Sequence, residues 1–291
     1  MNDFNDNSDN FNNFNISNNK YHVETPEETA ARVSRKQLEN FAVDLHGRDQ
    51  AILNTLYNSR LMTSGQISRQ HFEPDHANPN AAQRAANRTM NRLQNHGLIT
   101  SLNRKVGGIS GGSAGFVWEL TQPGTRLVNL GLDDQSRKRN FEPSQHFIKH
   151  TLGVSELNVQ LLGIDDIGVV NVQFEPNCWR TYHGSTLKPD LYAVTSDGEY
   201  EDSWFFELDL ATEAPSRIVS KCEQYQDYYR SGIEQSDYGV FPAVVWIVPD
   251  SKRKASLQSH VAQNAALLNN DIFVFILPDE LEPLIRRGAG Q

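Results

Sequence analysis

Two carboxylates, Glu207 and Asp209, stand inside the run Trp204-Phe205-Phe206-Glu207-Leu208-Asp209-Leu210. The surrounding aromatic and aliphatic residues are those of a buried strand. Residues two apart on a strand face the same side, so both carboxylates point into one site. Charge there is expensive unless a cation, a metal ion or a raised pKa relieves it. Just upstream, Lys188-Pro189-Asp190 brings a third carboxylate to a strand start, and downstream a Pro-initiated segment carries Lys221, Tyr225, Tyr228 and Tyr229. Plainer readings compete with chemistry at each position. Arg217 and Lys221 could pair the two strand carboxylates structurally. The three tyrosines have the helical spacing of core residues. His146 and His150, four apart on one predicted helix face, are more often polar filling than metal ligands.

These residues need elements to position them, and the second half of the chain supplies a regular order. The pattern predicts a helix opened by Glu142-Pro143-Ser144 and running to about Leu162, with Glu156 on it. Strands follow over Val169–Phe174, Leu187–Thr195 and Trp204–Leu210, with Ser196-Asp197-Gly198 as a hairpin turn. A helix over Ser216–Tyr229, a strand over Ala243–Val248, a helix over Ser256–Leu268 and a strand over Ile272–Leu277 complete the order.

The first half has a different character. Residues 1–20 are Asn-rich and without periodicity, and read as a disordered tail. Helices are predicted from Arg48 to about Ser59, from Thr63 or Ser64 to Phe72, and over Ala81–His96, closed by Gly97. Two apolar strands, Leu98–Leu102 and Gly115–Leu120, flank a Gly-rich segment that begins with Arg104-Lys105. Three helices followed by a hairpin with a basic tip is the order of a winged helix. Within the third helix Arg84, Arg88 and Arg92 fall at i, i+4 and i+8, on one face that can meet phosphates and guanine edges in a major groove.

The charge distribution agrees. The whole chain of 291 residues carries a net −9, which by itself disfavours a nucleic-acid partner. Yet from Arg60 to Lys105 seven basic residues face two acidic ones, a local +5 in an acidic protein. The two cysteines, Cys178 and Cys222, form no C-x-x-C pair, which argues against a disulfide framework and a zinc site. No apolar run of membrane-spanning length and no signal pattern is present, so a cytoplasmic protein without a membrane partner is expected. The expected organisation is a tail (1–20), a winged-helix DNA-binding domain (21–132), a polar linker (133–140) and a second domain (141–291). The fold class is α/β, α+β overall.

The second domain's element order, with Pro189-Asp190 at one strand and Glu207-x-Asp209 on the next, resembles the PD-(D/E)xK restriction-endonuclease-like fold. In that fold acidic residues hold Mg²⁺ or Mn²⁺ over a scissile phosphate. By position the resemblance implies Asp190 and Glu207 as metal ligands, with Glu156 as the additional acid on the preceding helix. Asp209 stands where the fold usually has Lys; either Lys221 or Lys188 supplies that cation, or Asp209 is itself a ligand. A second resemblance covers most of the chain. The glycine-rich wing, His150 and Glu156, Pro189-Asp190, Glu207-Leu208-Asp209-x-x-Thr212-Glu213 and Lys221-x-x-x-Tyr225 look like the replication-relaxation family, which is similar to the MOBC class of plasmid relaxases. It implies metal-dependent nicking of double-stranded DNA at an origin of transfer or replication, alongside other relaxosome proteins. Its alternatives are a non-catalytic DNA-binding accessory with a degenerate nuclease domain, and a restriction endonuclease that cuts both strands.

Overall fold

The computed structural model describes residues 33–102, 115–130, 143–267 and 271–290. The tail over 1–20, the linker over 133–140, and Arg104 and Lys105 lie outside the described residues. The first elements are α1 (Arg35–Asp44), α2 (Gly47–Ser59), β1 (Met62–Thr63), α3 (Ser64–His71), α4 (Pro79–Asn95), β2 (Ile99–Ser101), β3 (Val117–Leu120) and α5 (Gln122–Val128). Thr63 opens α3 through a capping box: its hydroxyl accepts from the Gln66 N–H, while the Gln66 side chain accepts from the Thr63 N–H. Asn78 caps α4 and Pro79 occupies its first turn. Ala82, Ala86, Met90 and Leu93 form the buried face of α4, small enough at its start for α3 to pack closely. The three short strands make an antiparallel sheet in the order β1-β3-β2. β1 is too short for any periodicity to announce it.

α5 is held tightly against this sheet. A Cβ added to Gly124 would lie 1.9 Å from the backbone oxygen of Leu98, a fixed atom with no room to yield. Gly124→Ala is therefore expected to destabilise the protein by about 1–3 kcal/mol, read as a lowered urea midpoint with an unchanged m-value.

The remaining elements are α6 (Gln145–Leu162), β4 (Gly168–Phe174), β5 (Arg180–Tyr182), β6 (Ser185–Leu187), β7 (Leu191–Ser196), β8 (Glu201–Leu208), α7 (Pro215–Ser231), α8 (Ile233–Tyr238), β9 (Ala243–Ile247), α9 (Ser251–Ala262), β10 (Phe273–Ile276) and α10 (Leu281–Arg287). Five strands form one mixed sheet in the order β10-β9-β8-β7-β4. The β4/β7 and β7/β8 pairs are antiparallel, and the β8/β9 and β9/β10 pairs are parallel. Parallel neighbours need crossover connections, which α7 and α9 provide. Trp204 and Phe206 pack on one face with Val154, Leu157 and Leu161 of α6. Phe205, Val244 and Trp246 pack on the other with Ile218, Cys222 and Tyr225 of α7. β8 is thus buried on both sides, the physical reason for its unbroken apolar run. Among the described residues no helix is long and apolar enough to cross a membrane.

Three predicted boundaries move. The strand expected over Leu187–Thr195 is broken at Lys188-Pro189-Asp190, because Pro189 has no N–H to give a ladder, and the chain pairs again only from Leu191. β8 runs from Glu201 to Leu208, so Asp209 falls just beyond it. The helix expected from Ser256 begins at Ser251, where the Asp250 side chain accepts from the Arg253 N–H. The β5–β6 hairpin was not foreseen.

Candidate functional site

Asp190 and Glu207 come together through strand register. β7 and β8 pair Leu191 with Phe206, so Asp190 and Glu207 are the next positions along the same ladder, and the Asp190 N–H donates to the Phe206 carbonyl at 3.2 Å. Glu207 shares the sheet face of Phe205 and therefore turns towards α7. Lys221 and Tyr225, one helical turn apart on α7, both reach it: Lys221 Nζ pairs with Oε2, and the Tyr225 hydroxyl donates to Oε1 at 2.6 Å. Asp190 Oδ2 accepts from the Leu208 N–H at 2.8 Å and lies 3.1 Å from His150 Nε2 of α6. Gly153 lets α6 lie this close to β8, since a Cβ there would come within 2.3 Å of a Leu208 methyl. Residues far apart in the chain thus close on one cluster, in which Asp190, Glu207 and Tyr225 are buried and His150 and Lys221 half-buried.

The charges in this cluster are strongly perturbed. Burial pushes Glu207 up to about 8, against the opposing pull of the Lys221 ammonium and with help from Asp190. Burial also works against the charge on Lys221, but Glu207 and Asp190 outweigh it and hold Lys221 up to about 12. Burial alone would raise Asp190; His150, Lys221 and the Leu208 N–H bring it below its ordinary value. Tyr225 is raised well above a free tyrosine by burial and by Glu207, so its hydroxyl keeps its proton. Burial lowers His150, but the hydrogen bond and charge of Asp190, with Glu175 and Glu207, leave it raised overall. The stabilisation from charged His150 is complete below the ordinary pKa of about 6.5 and is lost as pH rises through the raised folded value. In an NMR titration His150 should titrate above that ordinary value, and Asp190→Asn should carry it below, because burial then acts without its counter-charge.

The other predicted residues are placed elsewhere. Asp209 does not share the partners of Glu207. Both of its oxygens accept from Arg253 of α9, Nε to Oδ2 at 2.6 Å and Nη2 to Oδ1 at 3.2 Å, and Arg253 also donates to the Glu213 carbonyl at 2.8 Å. In place of the lysine of the resembled motif, Asp209 ties the loop before α7 to α9. Glu156 meets α3, accepting from Arg69 Nη1 at 2.7 Å and from Gln66 Nε2 at 3.1 Å. Arg217 pairs with Glu213 and not with the strand carboxylates. Lys188 lies over the Trp179 ring, 4.5 Å from its centroid. Tyr228 is buried and donates to Glu234, whereas Tyr229 is exposed. On α4, Arg84 and Arg88 face solvent, while Arg92 is held by the buried carboxylate of Asp49. Sequence reasoning missed Arg253, Arg69 and Asp49 as partners, and weighed His150 without finding its partner Asp190, because each contact joins residues far apart in the chain.

A family model described as replication-relaxation matches residues 53–244. The chain belongs to the replication-relaxation family. No curated protein and no solved structure matches it. Membership suggests a role in plasmid or mobile-element replication or transfer. The span characteristic of the replication-relaxation family runs from α2 to the start of β9, so it contains α4, His150, Asp190, Glu207 and Lys221 and stops short of Arg253.

The family resemblance also implies a divalent cation. Among the described residues no group of three or more His, Cys, Asp or Glu side chains is placed to hold a metal ion. Of the four carboxylates expected to act together, Asp209 and Glu156 are engaged by arginines at separate places, so a four-carboxylate cage does not fit. Asp190 and Glu207 do fit a smaller requirement: Mg²⁺ uses one or two carboxylates and completes its shell with water and substrate phosphate.

Proposed function

We propose that this replication-relaxation protein binds double-stranded DNA at an origin of transfer or replication and nicks one strand of it at the Asp190–Glu207–Lys221 cluster. The observation that carries this reading is the approach of Lys221 Nζ to Glu207, because α7 thereby supplies the cation that Asp209 withholds from the strand. Asp190 and Glu207 would hold Mg²⁺ or Mn²⁺, which when bound polarises the phosphodiester and lowers the pKa of a water. Lys221 keeps its charge beside the phosphate, and His150 is oriented by Asp190, whose carboxylate favours its protonated form. Tyr225 and Tyr228 are buried and protonated, so neither supports a covalent tyrosine–DNA intermediate in this arrangement.

Site selection is assigned to the first elements, read as a winged helix followed by a restriction-endonuclease-like domain. α4 presents Gln83, Arg84, Asn87, Arg88 and Asn91 away from its buried face, the side chains that read guanine and adenine edges in a major groove. Arg92, held by Asp49, positions α4 and is not a free DNA contact.

A supercoiled plasmid carrying the protein's own origin should be converted to open circles in the presence of Mg²⁺ or Mn²⁺. Glu207→Gln should lose at least a hundredfold in nicking rate while still binding the same DNA. An intact plasmid, or a Glu207→Gln protein that nicks like its parent, would overturn the proposal. A second reading has an observation of its own: both Glu207 oxygens are already taken, by Lys221 and Tyr225, as in a purely structural network. That reading makes the chain a DNA-binding accessory, and it predicts origin binding with no Mn²⁺ site in calorimetry. Linear products in place of open circles would indicate double-strand cleavage.

A further inference from the structure

We infer that Arg60, at the end of α2, is a phosphate-binding residue that the DNA-reading half of the molecule contributes to the Asp190–His150 cluster; this rests on the proposed DNA-nicking function and adds to it a named contact. The first observation is backbone conformation. Arg60 has φ 66° and ψ −49°, on the side of backbone space that L side chains with a Cβ avoid and glycine enters freely. Arg60 is the centre of a tight turn in which the Leu61 N–H donates to the Ser59 carbonyl at 2.8 Å, a conformation that is rare and strained for a residue with a side chain. An arginine at such a position points to a use for its side chain, since strained positions gather at functional sites.

The second observation is where that side chain lies. Asn58, Ser59 and Arg60 form one wall of a small cleft whose other wall includes His150, Glu175 and Asp190. Arg60 is the guanidinium of this cleft. It is only loosely held: its Nη1 lies 3.8 Å from a Glu175 carboxylate oxygen, beyond hydrogen-bond distance, and its Nη2 donates to the Glu175 carbonyl at 3.3 Å. The side chain is 38% exposed, so it can exchange these contacts for a phosphate at little cost. A phosphodiester entering this cleft meets two carboxylates, Glu175 and Asp190. His150 answers part of that charge, and a guanidinium able to grip two phosphate oxygens answers more of it. Because α2 also packs against the α3 and α5 elements, the contact fixes the distance between the bound duplex and the cluster.

The test compares Arg60→Gly, Arg60→Asn and Arg60→Lys in the full chain. Glycine relieves the backbone strain, so Arg60→Gly should melt higher than the parent, while Arg60→Asn removes the guanidinium and leaves a Cβ in the strained turn. With a linear duplex of the protein's own origin, both should lower the slope of log K against log salt by about one phosphate contact, roughly 0.9, while Arg60→Lys should keep the slope. Nicking by Arg60→Gly should fall about tenfold to a hundredfold. If the parent does not nick, the nicking reading fails, yet a reduced salt slope still establishes the phosphate contact. Arg60→Gly that melts higher and binds with an unchanged salt slope, or a parent that binds no DNA, overturns the inference.

Discussion

Lys221→Met should destabilise the protein by about 3 kcal/mol above pH 8 and by clearly less near pH 6. Lys221 Nζ pairs with a Glu207 that is 2% exposed, and the Asp190 charge acts on both, so removing the ammonium leaves two buried carboxylates without it. The pH dependence follows from which of them can escape by taking a proton. Glu207, raised to about 8, is ionised above that value and is protonated in the folded state near pH 6. Between its unfolded value near 4.5 and its raised folded value, the folded state binds one proton more than the unfolded state, so stability falls as pH rises through this window. Without Lys221 the folded value of Glu207 moves higher still, and the steep loss extends further into alkali. Urea unfolding at both pH values reads the difference, and Lys221→Met/Glu207→Gln should recover part of the loss at pH 8 because no ionised glutamate remains. An equal loss at both pH values, or no recovery in the double variant, would show that Lys221 contributes by packing its methylenes and not by its charge.

Glu234→Ala should destabilise by about 3–5 kcal/mol at neutral pH, and its effect should not depend on DNA or on any metal ion. Glu234 has no exposure, accepts from Arg180 Nε at 3.1 Å and takes the Tyr228 hydroxyl as a second donor. Its loss leaves the Arg180 guanidinium buried among Tyr192 and Phe205 with its main counter-charge gone. Arg180→Met/Glu234→Leu should recover most of the stability, since an apolar pair of similar volume removes both desolvation costs. The comparison with Lys221 is instructive because α7 supplies a tyrosine hydroxyl to each glutamate. Tyr225 serves Glu207 and Tyr228 serves Glu234, less than one turn further along the helix. One pair shares the charge of Asp190 and the other is sealed in the core, so nicking should distinguish them when each variant is assayed at a temperature where it is folded.

Much was legible in the sequence. The apolar run around Glu207, from Trp204 to Leu208, identified β8 as a buried strand, and the structure shows it covered on both faces. It also marked Glu207 as a charge that must have a partner, and the vacancy at Asp209 directed attention to Lys221, which α7 does bring to it. The helix and strand order of the second half, and the amphipathic pattern of α4, came from periodicity and caps that are local properties of the chain.

What the tertiary structure decided were the pairings. Asp209 and Glu207 are two residues apart and were expected in one site, yet the strand ends between them, and α7 claims one while α9 claims the other. Glu156 was expected beside the strand carboxylates, but its side of α6 faces α3, where Arg69 and Gln66 receive it. Arg92 shares a helical stripe with Arg84 and Arg88 and is nevertheless drawn to Asp49 of α2. His150 gained its role only when register set Asp190 beneath α6. Sequence spacing fixes which face of its own element a side chain occupies. Which charge waits opposite depends on how elements pack, and an ion pair between residues far apart in the chain leaves no periodic trace in either of them.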